Sequence, residues 1–166
     1  MNSEQDLQIE RAKELLGAAT TASLATVSPD GLPQNCTIFV TLLGSTTLVF
    51  KSRRASAHMQ ALGSAPSAHL SCYDPASNYD SKHGLQLKGH VRAITDPAEM
   101  TRTVEAYERA FTGSSRKLPP VAELCQPDCP STFFAFVISD FRVTVEEPGR
   151  NLTMSAFADA QQLSFE

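Results

Sequence analysis

The sequence has no tryptophan, few glycines, no long apolar run and no excess of basic charge, and each absence removes a class of reading. Only 8 of its 166 residues are glycine. Neither G-x-G-x-x-G nor G-x-x-x-x-G-K-[ST] occurs, so the loops that cradle dinucleotides and nucleoside triphosphates lose their main support. A G-x-S-x-G elbow for a nucleophilic serine is missing as well. No stretch reaches the roughly 18 uncharged apolar residues of a membrane-spanning helix. Glu4, Asp6, Glu10 and Arg11 stand where a signal peptide would need an apolar core, so a cytosolic protein is expected. With 14 Lys plus Arg against 18 Asp plus Glu, the net charge is -4, which offers nucleic acid no electrostatic footprint. The four cysteines, Cys36, Cys72, Cys125 and Cys129, are too few and too scattered for a disulfide framework. Cys125 and Cys129 are spaced C-x3-C with no second Cys/His pair nearby, so no metal site is expected.

What is present fits an ordinary folded domain. Hydrophobic residues make up 42% and charged residues 19%, unlike a disordered or fibrous chain. The length suits one domain, expected over residues 1–150, with residues 151–166 as a C-terminal tail carrying Phe157 and Phe165.

Ser3 with Asp6 reads as a helix start, and Leu7, Ala12, Leu15, Leu16 and Ala19 recur at helical spacing. Ala22 to Val27 and Gln34 to Leu43 are β-rich runs on either side of Ser28-Pro29-Asp30-Gly31, which has turn chemistry at every position. A second tight connection at Gly44-Ser45-Thr46 leads into a third strand, Thr47 to Lys51. Ser56 to Leu62 fits a short helix stopped at Gly63. Ala68 to Tyr73 and Leu85 to Ile94 alternate as a fourth and a fifth strand, and Gly89 marks a bulge or a close backbone approach. Asp96-Pro97 with Glu99 opens a helix through about Thr112. Four prolines then make the stretch to Pro130 irregular, and Phe133 to Val145 supplies a sixth, aromatic and β-branched strand. The expected fold is mainly β: a six-stranded antiparallel barrel, closed or nearly so, with helices on its outside. The alternatives are an α+β sandwich or an open sheet; closure is favoured because a flat sheet would leave two apolar edges uncovered.

The densest cationic and hydroxyl cluster is Lys51-Ser52-Arg53-Arg54 with Ser56 and His58, where a strand gives way to a helix. Free amides and the helix dipole favour an anion there, and Arg and Ser supply charge-assisted hydrogen bonds suited to phosphate. A solvated loop is the plain alternative. His58, His69, His83 and His90 make no close metal-ligand spacing. Gln86, a long amide on an alternating strand, either meets a cofactor ring edge or faces solvent.

Taken together, Ser23-Leu24-Ala25-Thr26, Asp30-Gly31-Leu32-Pro33, Leu48-Val49-Phe50-Lys51-Ser52, His58-Met59-Gln60-Ala61-Leu62, Pro66-Ser67-Ala68 and Gln86-Leu87-Lys88-Gly89 resemble, in order and spacing, the pyridoxamine 5'-phosphate oxidase-like, FMN-binding split-barrel superfamily. The resemblance runs from about residue 7 to residue 145 and is closest to small bacterial members of uncharacterised function. It implies a six-stranded split barrel that forms a homodimer with FMN sites at the subunit interface. The flavin phosphate would be held by Ser52 to His58 and by basic residues on the second strand, and the ring edge met by Gln86. Three departures stand out: Cys36 and Thr41 occupy the second-strand positions where the oxidase has Arg and Lys, and its Ser-Arg-Lys phosphate motif corresponds to Ser56-Ala57-His58. The oxidase's C-terminal substrate signature has no counterpart in Asn151 to Glu166. The resemblance thus implies an FMN-dependent oxidoreductase acting on an unidentified small molecule, with Lys51, Ser52, Arg53, Arg54, Ser56, His58 and Gln86 around the cofactor and no side-chain acid or base assigned. The alternatives are a ligand-binding or interaction module that has lost productive flavin binding, and a haem-utilisation relative in which His83 or His58 ligates iron.

Overall fold

A computed structural model describes residues 3–64, 66–78, 81–115, 117–146, 153–155 and 157–164; the expected boundary at residue 150 and Phe165 lie outside them. The chain opens with helix α1 (Ser3–Ala18), which buries Ala12, Leu15 and Leu16 because positions three and four apart share one helical face. Strands β1 (Thr21–Val27) and β2 (Pro33–Phe39) follow as an antiparallel hairpin. Its turn depends on Gly31, whose φ of +82° is in the left-handed region glycine tolerates. The Ser28 hydroxyl accepts the Leu32 N–H at 3.1 Å and donates to Asp30.

The run expected as a single strand, Gln34–Leu43, divides at Val40 into β2 and the two-residue β3 (Thr41–Leu42). The cause is closure. With β4 at Thr47–Arg53, β5 at Ser67–Tyr73, β6 at Lys82–Ala93 and β7 at Ser131–Glu146, the sheet order is β2-β1-β5-β6-β7-β4-β3, so consecutive residues of one run pair at opposite ends of the sheet, β2 with β1 and β3 with β4. Val40 is fully buried at the corner, with its N–H donated to Thr20 O at 3.0 Å. The curled sheet is the expected split barrel, closed at this seam by the chain itself.

Strand β4 (Thr47–Arg53), helix α2 (Ala57–Ser64), β5 (Ser67–Tyr73) and β6 (Lys82–Ala93) come next, then α3 (Pro97–Ala110). Asp96 caps α3 by accepting the Glu99 N–H at 2.7 Å, with Pro97 in its first turn. The proline-rich stretch contains a short helix the sequence did not suggest, α4 (Val121–Leu124). Leu124 anchors it, and the Thr132 hydroxyl donates to Leu124 O at 2.7 Å. Strand β7 (Ser131–Glu146) pairs with both β4 and β6. Tail residues add β8 (Thr153–Met154), β9 (Ala158–Asp159) and a 3-10 turn (Ala160–Leu163), with both short strands on β7.

Two cores share β4 and β7. The barrel interior is filled by Leu24, Leu48, Phe50, Leu70, Leu85, Leu87, Phe136 and Phe141 and plugged by α1 and Leu163. Val49, Phe133 and Ala135 point the other way, into a second cluster under α3 and α4 with Met100 and Leu124. By contrast, the outward positions of β2, β1 and β5, from Thr21 to Tyr73, hold no Asp, Glu, Lys or Arg and are nearly all exposed.

Gly89 meets both expectations at once. The β6–β7 register shifts between Lys88 and Gly89, leaving Ser139 as the extra residue on β7. A Cβ on Gly89 would collide with the Val137 carbonyl and the Phe136 ring. Gly89→Ala is therefore expected to lower stability by about 1–3 kcal/mol, the usual cost of overpacking, read from the urea unfolding midpoint.

Candidate functional site

Where β4 runs into α2, three of the side chains singled out in the sequence meet. The Ser56 N–H donates to Arg53 O at 3.1 Å and the Gln60 N–H to Ser56 O at 3.0 Å, tying the turn to the helix. Ser52 Oγ lies 2.8 Å from His58 Nε2 and 3.2 Å from Ser56 Oγ, and Ser56 Oγ lies 3.1 Å from the same nitrogen. All three are half-buried. The first amides of α2 lack acceptors within the helix, so hydroxyls, an imidazole and N–H groups are gathered at one spot suited to the oxygens of an anion.

The cations divide. Lys51 Nζ donates to Ser131 Oγ at 2.8 Å. Arg54 donates through Nε to Cys129 O and through its backbone N–H to Pro130 O, each at 3.0 Å, and its guanidinium sits 5.9 Å from the centre of the Phe134 ring. Both thus fasten the turn to the start of β7. Arg53 is exposed and its side chain has no hydrogen bond or ion pair among the described residues, which leaves it available to an anion. Burial lowers the His58 pKa from its ordinary 6.5, so near pH 7 the imidazole is uncharged. Cys36 lies opposite Leu24 and Thr41 opposite Val49; neither adds charge, and burial pushes the Cys36 thiol up.

Gln86 is elsewhere. It pairs with Arg142 near the far end of β7, whereas Lys51 pairs with Phe133 near its start. Those nine residues of strand span about 30 Å of contour. Arg142 donates to Gln86 Oε1 through Nε at 2.8 Å and also through Nη2, which leaves the Gln86 amide N–H groups without a partner among the described residues. A cleft of about 440 Å³ opens beside it, lined by Ser71, Tyr73, Lys82 and His83 among others. Arg142 and Lys88 cluster here against Phe157 of the tail; the sequence marked Phe157 as a tail aromatic but gave neither cation a role. The period-2 pattern puts Gln86 and Lys88 on one face, but only the β6–β7 register adds Arg142.

The histidines considered for iron are engaged. His83 Nδ1 contacts the Arg11 guanidinium and its Nε2 is buried without a partner among the described residues; His58 Nε2 faces the two serines. Among the described residues no three His, Cys, Asp or Glu side chains converge as a metal site, and no helix is long and apolar enough to cross a membrane.

A curled antiparallel sheet closed at a corner, with an anion-suited turn between a strand and a short helix, defines the split-barrel class. The chain belongs to the pyridoxamine 5'-phosphate oxidase family, whose model matches residues 9–126. No curated protein matches the sequence. Among solved structures, it is similar to a haem binding protein from Mycobacterium smegmatis (16% identity, TM-score 0.70, 93% of this chain), of which it spans only 59% of the length. It is also similar to a pyridoxamine 5'-phosphate oxidase-related, FMN binding protein from Nostoc punctiforme (17% identity, TM-score 0.57, 93% of this chain and 95% of that one). An F420 reductase matches at 22% identity and TM-score 0.57, over 78% of this chain and 94% of that one. At these identities the likeness shows a common fold.

The lowered His58 pKa has a consequence for stability. The unfolded chain takes up this proton more readily, so the stability present above pH 6.5 falls as pH drops through that value toward the folded-state pKa. His58→Gln is expected to lose less stability than the parent between pH 7.5 and pH 5, read from urea midpoints at the two pH values.

Proposed function

We propose that the protein is a homodimeric FMN-dependent oxidoreductase acting on a small molecule. The Ser52–Ser56–His58 cluster at the start of α2, with Arg53 beside it, carries this reading. Its hydroxyl and N–H donors, with one uncommitted guanidinium, suit a phosphate monoester. FMN, when bound, would supply the hydride chemistry, and the chain's part is to hold and orient it. In this reading Ser52, Ser56, His58 and Arg53 bind phosphate, Lys51 and Arg54 brace the turn that presents them, and the free amide N–H groups of Gln86 meet the ring edge.

Two observations support sharing each site between subunits. Gln86 and the phosphate cluster lie toward opposite ends of β7, so one flavin touching both would draw on two chains. The outer face of β2, β1 and β5 is broad, exposed and free of Asp, Glu, Lys and Arg, as a surface between copies requires. A second reading, a split barrel without productive flavin binding, is favoured by the uncharged Cys36, Thr41 and Ala57 together with an uncharged His58.

FMN affinity separates the two. After incubation with FMN and gel filtration, the oxidoreductase reading expects a flavin absorbance spectrum at one FMN per subunit, whereas the module reading expects colourless protein. Arg53→Ala, and Ser52→Ala with Ser56→Ala, should each weaken FMN binding at least tenfold, in line with charge-assisted hydrogen bonds of ~1.5–3 kcal/mol. Arg53→Ala together with Arg54→Ala should weaken it further, because Arg54 also anchors the turn. Separately, Ala25→Arg at the centre of the uncharged face should shift the protein from dimer to monomer in sedimentation velocity; a parent protein that is already a monomer overturns the dimer.

A further inference from the structure

The outer face of β6 and β7 carries a group of cations, Lys82, Lys88 and Arg92 on β6 and Arg142 on β7, whose members are treated unequally. Lys82 is paired with Glu146 at 3.0 Å and Arg92 with Glu99. Lys88 and Arg142, between them, have no ion pair among the described residues. Instead both turn to one aromatic ring from the tail: Lys88 Nζ lies 3.8 Å, and the Arg142 guanidinium carbon 4.7 Å, from the centre of Phe157. The His69 ring meets the same ring edge-on at 6.4 Å. Gln86 fixes the guanidinium by accepting its N–H groups. Two carboxylates share this face, Asp140 opposite Lys88 and Asp159 opposite Asp140; Asp140 accepts the Ser139 hydroxyl at 2.8 Å and Asp159 caps the 3-10 turn through the Gln161 N–H, and neither forms an ion pair with Lys88 or Arg142 among the described residues.

We propose that this slot binds a planar aromatic anion, and that Phe157 holds the ring position until such a ligand displaces it. A ring over two cations gains the quadrupole attraction of a cation–π contact, on the order of 0.5–2 kcal/mol. A phenyl group, however, carries no charge to offset two cations. An aromatic carboxylate or phosphate fills the same space and adds charge-assisted hydrogen bonds to Lys88 and Arg142. The tail is built to return, because β9 pairs with Asp140 and Phe141, and Ala160 and Leu163 are buried in the barrel core. Only the Phe157 side chain has to move. The slot uses Lys88, Arg142 and Phe157, none of them in the phosphate cluster, and it adjoins Gln86, so a flavin whose ring edge met Gln86 would lie beside it.

The absence of tryptophan makes the test direct, since Phe157→Trp places a single indole in the slot. Titrating that variant with benzoate should give a saturable emission shift to longer wavelength. Benzamide, which lacks the charge, and cyclohexanecarboxylate, which lacks the ring, should not. Adding Lys88→Ala and Arg142→Ala should abolish the benzoate response. In the otherwise unaltered chain, Phe157→Ala should bind benzoate at least tenfold more tightly by calorimetry, because the resident ring no longer competes. Equal responses to benzoate and cyclohexanecarboxylate, or a response that survives loss of both cations, overturn the proposal. So does unchanged or weaker benzoate binding by Phe157→Ala.

Discussion

One strand has to serve two cores with a single backbone, and most of this structure follows from that constraint. β7 turns Phe134, Phe136 and Ile138 into the barrel while Phe133, Ala135 and Val137 face α3 and α4. Past Ser139 the inward set resumes at Phe141 and Val143, one residue out of step. The bulge makes that change possible, and it requires a partner with no side chain at the crossing, which Gly89 supplies. The same displacement aims Arg142 outward beside Gln86. The geometry of the ring-edge side of the molecule is thus a by-product of how the core is packed.

Local chemistry made much of this legible. The Asp96-Pro97-Glu99 helix start, the Ser28–Gly31 turn and the alternation in β5 and β6 are short-range signals, and each appears where its residues suggest. The phosphate-suited turn was visible for the same reason, because Ser52, Ser56 and His58 lie within seven consecutive residues and a strand-to-helix junction brings them together. What could not be read depended on distant segments. The break at Val40 reflects closure between the two ends of the sheet, and no feature of the Gln34–Leu43 run announces it. The cluster at Gln86 joins β6, β7 and the tail, so it exists only once their registers are set. α4 shows that four prolines do not prevent a single helical turn when Leu124 has a cavity to fill.

The two halves of the candidate machinery are supported by unlike means. The phosphate-suited turn is braced by Lys51 and Arg54 against residues 129–131, which frees Arg53. The Gln86 side is covered by a tail that lies on β7 through two short strands. A firm anion cradle and a face that a few residues can cover or expose suit a cofactor that stays and a second molecule that comes and goes.

Arg54 gives the proline-rich loop an unexpected reach. It ties the turn before α2 to the carbonyls of Cys129 and Pro130, the last residues of a segment that otherwise packs over α3 and the outer core. Loops of this kind accumulate insertions and substitutions readily over evolutionary time. Here such changes would be passed along two hydrogen bonds to the turn that carries Ser52 and Ser56, so inherited variation in this loop becomes a means of retuning the site.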